Sequence, residues 1–156
     1  MKPISHRGNL EGKIGSNENT THYVNQAMEK GYDVEIDVRF KDNTLYMGHD
    51  EPDEEIIPDW LLKNADRLWI HCKDLDSMIF ISKSPILHNQ LNYFGHSQDP
   101  FVLTSKGFLF CLPSDNLDSN CVLVMPEHFN FTLKPSNNAY AVLTDYPTKY
   151  KDYKQW

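Results

Sequence analysis

Short apolar runs that stop abruptly at polar residues recur along this chain. Lys2 to His6 is the first and Asp33 to Arg39 the second. Lys41-Asp42-Asn43 then reads as a turn, with Thr44 to His49 as a returning strand. Further runs span Arg67 to Lys73, Leu91 to His96, Phe101 to Thr104, Gly107 to Leu112, Cys121 to Met125 and Tyr140 to Thr144. With the returning strand set aside, the pattern predicts roughly eight strands. Helical periodicity separates them in the first half. Over Thr20 to Lys30, Tyr23, Val24, Ala27 and Met28 form one apolar stripe, and Gly31 is placed to end the helix. Pro58 to Ala65 sets Trp60, Leu61 and Leu62 behind a proline suited to a first helical turn. Asp76 to Lys83 carries Met78, Ile79 and Ile81.

After residue 90 the helical pattern vanishes, and loops such as Pro113 to Asn120 join the strands. Strands alternating with helices argue for an α/β fold with a parallel sheet. A TIM-type (β/α) barrel usually takes ~250 residues. The expectation for these 156 residues is therefore a single domain, 1–156, built as a small, pared-down TIM-type barrel with helices missing in its second half. An open α/β sheet is the alternative.

Composition narrows the class. With 40% apolar and 24% charged residues the chain reads as globular. No apolar run approaches the ~20 residues that span a bilayer, and Met1-Lys2-Pro3-Ile4-Ser5-His6 lacks the apolar centre of a signal peptide. A cytoplasmic protein without an integral membrane segment is expected. Cys72, Cys111 and Cys121 are odd in number and form no C-x-x-C pair, so they are expected as reduced core thiols. A net charge of −7 without a clustered basic face argues against a nucleic-acid partner. Lysines do collect between Thr148 and Trp156, a segment expected as a short terminal helix or a fray rather than a membrane contact. Nothing in the pattern fixes an oligomeric state.

The polar residues at the strand ends carry the chemistry. Ser5-His6-Arg7-Gly8 follows the first strand. Glu35 and Asp37, at i and i+2 of the second, project from one face. Two such carboxylates repel, and a hard cation such as Mg²⁺, Ca²⁺ or Mn²⁺ is the usual solution. The bland alternative is an edge strand facing solvent, and Val34, Ile36 and Val38 on the other face weaken it. Gly48-His49-Asp50 ends the returning strand, and His71 and Lys73 share a face at the end of the next. His96, Glu127 and Asp145 close later strands, and barrel active sites gather at such ends. His96, within His96-Ser97-Gln98-Asp99, is a candidate extra site element. His22, His88 and His128 read as surface or loop residues, and Trp69, Phe94, Phe108 and Phe110 as core.

His6-Arg7-Gly8, Glu18-Asn19-Thr20 opening a helix, Glu35-Ile36-Asp37-Val38-Arg39 and Gly48-His49-Asp50 occur in that order. Together they resemble the N-terminal signature of glycerophosphodiester phosphodiesterases, whose core is shared more loosely with phosphatidylinositol-specific phospholipase C and sphingomyelinase D-like lyases. The resemblance covers residues 4 to about 73, fades from 74 to 139, and returns at Thr144-Asp145-Tyr146-Pro147, which is similar to that family's closing motif. It implies a phosphoric diester hydrolase using one divalent metal ion. His6 and His49 would be the acid/base pair, Arg7 and Lys73 would grip the phosphate, and Glu35 and Asp37 would hold the metal. Two positions depart from the family. Where it places a third carboxylate ligand this chain has His71, which shifts preference towards Mn²⁺ or Zn²⁺ if it ligates; Glu127 or Asp99 is the alternative oxygen donor. The segment from His49 to Arg67 is also too short for the insertion that shapes the glycerol pocket in many relatives. The expected substrate is thus a small or lipid-derived phosphodiester. Two other readings use the same residues: a lyase that forms a cyclic phosphate, and a degenerate module that binds phosphate without turnover.

Overall fold

The structure, a computed structural model, describes residues 1–114, 116–134 and 137–151. The lysine-rich end was expected as a helix or fray; from residue 152 onward it lies outside the described residues, and Pro147–Tyr150 forms a single 3₁₀ turn. The first strand, β1, spans Lys2–His6, and helix α1 spans Thr21–Glu29. Strand β2 is Asp33–Lys41, and the two strands after it are β3, Thr44–Met47, and β4, Glu54–Ile56. Helix α2, Pro58–Lys63, leads into β5, Leu68–Cys72, and helices α3, Leu75–Lys83, and α4, Pro85–Gln90, precede β6, Asn92–Phe94. Four strands complete the chain: β7, Phe101–Leu103; β8, Leu109–Cys111; β9, Cys121–Val124; and β10, Ala141–Thr144.

Parallel ladders join β6 to β5, β5 to β2, β2 to β1, β1 to β10, β10 to β9, and β9 to β8. Three strands run antiparallel to their neighbours: β3 on β2, β4 on β3 and β7 on β8. The TIM-type barrel expected from the sequence is therefore corrected. The described residues build a curled, mixed ten-stranded sheet, a half-barrel with four short α-helices, none longer than nine residues. A (β/α) barrel needs a crossover helix between each pair of parallel strands and a ring of ladders that closes on itself. Here no α-helix follows β6 among the described residues, β7 folds back on β8 as a hairpin, and no ladder joins β7 to β6. That seam is bridged by Ser105, just beyond β7. Its N–H donates to Tyr93 O (2.8 Å), while its Oγ accepts from Tyr93 N (3.0 Å) and donates to Leu91 O (3.1 Å).

The pleat divides apolar residues between the two faces of the sheet. Val34, Ile36, Val38, Leu68 and Ile70 point outward and are buried under the helices, with Val24 and Ala27 of α1, Leu61 of α2, Ile81 of α3 and Leu87 of α4. Thr20 caps α1, accepting from Tyr23 N, and Asp74 caps α3, accepting from Ser77 N at 2.7 Å. Across β9 and β10 no α-helix covers the outer face among the described residues; Leu117 and Ala139 cluster with Leu123 and Val142, and Tyr150 of the 3₁₀ turn packs against them. The concave face buries Ile4, Trp69, Phe94, Phe110, Val122 and Leu143. Below them Asp33 closes the N-terminal end, paired with Lys2 (2.6 Å) and Arg67 (3.2 Å) and accepting from Trp69 Nε1 (3.2 Å). The C-terminal strand ends above are left open. No described helix is long and apolar enough to cross a membrane.

Candidate active site

Strand register alone brings the polar residues together. His6 lies beside Glu35 across β1 and β2, Asp37 beside His71 across β2 and β5, and His71 beside Phe94 across β5 and β6. All stand on the concave face at the C-terminal ends. After His6 the chain enters a left-handed turn, with Arg7 at φ 54° and Gly8 at φ 92°. A Cβ on Gly8 would lie 2.7 Å from the Tyr23 ring, so glycine is required there. The turn sends the Arg7 side chain back over the sheet, and its Nε sits 2.7 Å from Asp37 Oδ2. Asn19, immediately before α1, clamps Asp37 twice: its Nδ2 donates to Oδ2 and its Oδ1 accepts from the Asp37 N–H, both at 3.0 Å. Gly48 brings His49 to the opposite side of the mouth, where a Cβ would overlap Glu51 O at 1.9 Å.

The two carboxylates face different surroundings. Asp37 is fully buried, with Arg7, Lys73 Nζ at 3.7 Å and His71 Nδ1 at 3.1 Å around it. Burial pushes its pKa up, but the contact with His71 and the charge of Arg7 outweigh it and hold Asp37 well below the usual carboxylate range. Glu35 has weaker partners, with His71 Nδ1 at 3.8 Å and His6 Nε2 at 4.0 Å. Burial, and then the neighbouring charge of Asp37, raise its pKa. Its Oε2 and His71 Nε2 are buried with no hydrogen-bond partner. One donor atom each from Glu35, Asp37 and His71 falls within 4.8 Å of the others. Two buried carboxylates and an imidazole converging in this way fit a divalent cation, for which two carboxylate oxygens and an imidazole nitrogen are ordinary ligands.

His6 is anchored from behind. Its Nδ1 donates to Asp145 Oδ1 at 2.7 Å, which turns Nε2 towards Glu35. Asp145 Oδ1 also accepts from Asn9 Nδ2 (2.8 Å), and burial, which would raise the Asp145 pKa, is outweighed by the bond to His6. For His6 itself burial is opposed by the Asp145 bond and the charge of Glu35, and its pKa ends above the ordinary value. His49 is the contrasting case. It is 40% exposed, its Nδ1 donates to Asp50 Oδ1 (2.7 Å), and its pKa is lowered by burial and the charge of Arg7.

His6, Arg7, Glu35, His49, His71 and Lys73 line one cavity of about 270 Å³. No protein-family model, curated protein or solved structure matches this chain.

His96 and Asp99 also border the cavity. The His96 ring stacks on His71 at 4.7 Å and 5°, and Phe94 stacks on the same ring at 5.0 Å. Burial and then the neighbouring His71 lower the His96 pKa. Glu127 stands apart. Its Oε1 accepts from Thr144 Oγ1 (2.7 Å) and from the Asp145 N–H (2.9 Å), so it buttresses the turn behind His6 and does not line the cavity. The sequence reading placed Asp145 among the strand-end polar residues and Glu18 and Asn19 in a motif without giving them a specific role, and it did not single out Asn9. Glu18 accepts from Asn9 Nδ2 (2.7 Å) and Arg7 Nη1 (3.3 Å), so His6, Glu18 and Asp145, although close enough to hold an ion, already belong to a hydrogen-bonded scaffold. Their place in the motifs beside His6 and Asp37 was the available signal.

Proposed function

We propose that this chain is a metal-dependent phosphodiesterase using two histidines for proton transfer. The observation that carries the reading is one cavity lined by two cationic side chains, two histidines in opposed environments, and Glu35 and His71, with the buried Asp37 beside them completing the donor set. The resemblance of the N-terminal motifs supports the same assignment. A divalent ion held by Glu35, Asp37 and His71 supplies Lewis-acid stabilisation of charge on phosphoryl oxygens; Mg²⁺, Ca²⁺, Mn²⁺ and Zn²⁺ are the candidates.

The chain's own residues supply the rest. Arg7 and Lys73 offset the negative charge that otherwise repels a nucleophile from a phosphodiester monoanion. His49 sits at the open side of the mouth with a lowered pKa, so it is neutral near pH 7 and takes the proton of an attacking water. His6 is buried, held by Asp145, with a raised pKa, and gives its Nε2 proton to the departing alkoxide. Paired groups whose surroundings push their pKa values apart are the usual arrangement for acid and base.

The test is turnover of bis(p-nitrophenyl) phosphate and glycerophosphocholine after chelation and after return of Mn²⁺, Mg²⁺ or Ca²⁺. Chelation is expected to abolish turnover and one of the three ions to restore it. Full activity of a Glu35→Ala/Asp37→Ala variant in metal-free buffer would overturn the reading. Phosphorus NMR of the products is expected to give an open monoester; a cyclic phosphate would replace water with a substrate hydroxyl as nucleophile.

A further inference from the structure

The cavity has two unlike walls. β1, β2 and β5 contribute charged and imidazole groups. The strands opposite contribute Val102 from β7, Phe110 and Leu112 from or beside β8, Val124 and Met125 from or beside β9, and Leu143 from β10. These six side chains offer no hydrogen-bonding side-chain group apart from the weak thioether acceptor of Met125. A phosphate placed against Arg7 and Lys73 thus has polar neighbours on one side and these six side chains on the other, with Ser97 and Asp99 also bordering the cavity beside Pro100. A glycerol or sugar arm lying on that wall would give up its water without replacement partners, which is unfavourable. An alkyl arm gains there instead, at about fourfold in affinity per buried methylene. The wall also leads outward. Pro100 and Leu112, joined by the Leu112 N–H to Pro100 O bond (2.9 Å), border both this cavity and an apolar hollow of about 570 Å³ on the outer side. Phe101 and Leu117 line that hollow, and Phe101 is 64% exposed.

Resting on the phosphodiesterase reading for the position of the phosphate, we infer that the substrate is a phosphodiester with one unbranched apolar arm. The arm lies along Val102, Phe110 and Val124 and leaves over the Pro100–Leu112 rim. Selectivity resides in β7 to β9, the strands without helices, while the chemistry resides in β1 to β5.

Two measurements on the full chain test this. Calorimetric titration with methyl, propyl and pentyl phosphate is expected to show affinity rising severalfold at each step. Val102→Ser and Leu112→Ser are each expected to reduce that rise. In parallel, p-nitrophenyl diesters carrying methyl, propyl or pentyl groups share one leaving group, and kcat/KM is expected to climb in the same order. Equal affinities along the series, with bis(p-nitrophenyl) phosphate still turned over, would overturn the apolar arm and leave the phosphodiesterase reading standing. Failure to turn over any diester, under every metal tried, together with no binding of any alkyl phosphate, would overturn both.

Discussion

Asp145 shows how far a single side chain can set the chemistry of another. Its bond to His6 Nδ1 fixes the imidazole tautomer and aims Nε2 into the cavity, and its charge raises the His6 pKa. Asp145→Asn is expected to lower kcat by ~10²–10⁴, as loss of an orienting carboxylate does elsewhere. The pH profile of kcat/KM supplies a sharper readout. His6 acts protonated, so the alkaline limb reports its pKa above 6.5; His49 acts neutral, so the acid limb reports its pKa below 6.5. In the Asp145→Asn variant the alkaline limb moves to lower pH while the acid limb stays. His71 supports a second expectation. His71→Glu is expected to raise affinity for Mg²⁺ and Ca²⁺ relative to Mn²⁺, and His71→Ala to weaken binding of all three. Calorimetry on the three proteins checks this, and identical selectivity would take His71 out of the ligand set.

Helix α3 packs on the sheet through Met78, Phe80 and Ile81, and Asp74 at its start adds a polar tie. Asp74 accepts from Ser77 N at 2.7 Å and from Phe40 N of β2 at 3.3 Å. Asp74→Ala is expected to cost about 1–2 kcal/mol, lowering Tm by roughly 2–4 °C per kcal/mol for a chain of this size. Thermal denaturation followed by circular dichroism measures it. Such capped, striped segments are the ones the sequence displays well. β1, β2, the returning strand β3 and α1 to α3 were all legible from alternation, periodicity and caps. α4 and β4 were not, because Pro85–Gln90 and Glu54–Ile56 are too short to establish a period. The candidate site residues were legible because His6, His49, His71 and Lys73 stand at or just beyond strand ends and Glu35 and Asp37 alternate along β2, whereas the clamp by Asn19 and the anchor by Asp145 depend on contacts between segments distant in sequence. The barrel expectation failed for a reason present in the sequence itself. Phe101 to Thr104 and Gly107 to Leu112 were counted as successive barrel strands. A parallel crossover needs about a dozen residues. The short link here, with Gly107 at φ 83°, allows only a hairpin.

The consequence of that hairpin extends to the whole molecule. A closed barrel has its diameter dictated by strand number and shear. This sheet, lacking a ladder between β6 and β7 among the described residues, has no such geometric constraint, and local contacts bridge the gap. Ser105 supplies one of them, mimicking one rung of a ladder with its own hydroxyl. Ser105→Ala is expected to cost only about 0.5–1.5 kcal/mol globally. Amide exchange at Tyr93 should nevertheless accelerate well beyond that at β1 or β2, and native-state exchange resolves the two effects. The polar and apolar walls of the cavity stand on either side of this gap. The enclosure is therefore closed on that side by packed rings and not by a ladder: the Phe94 ring of β6 lies 4.4 Å from that of Phe110 of β8, and the Trp69 ring of β5 lies 5.0 Å from that of Phe108.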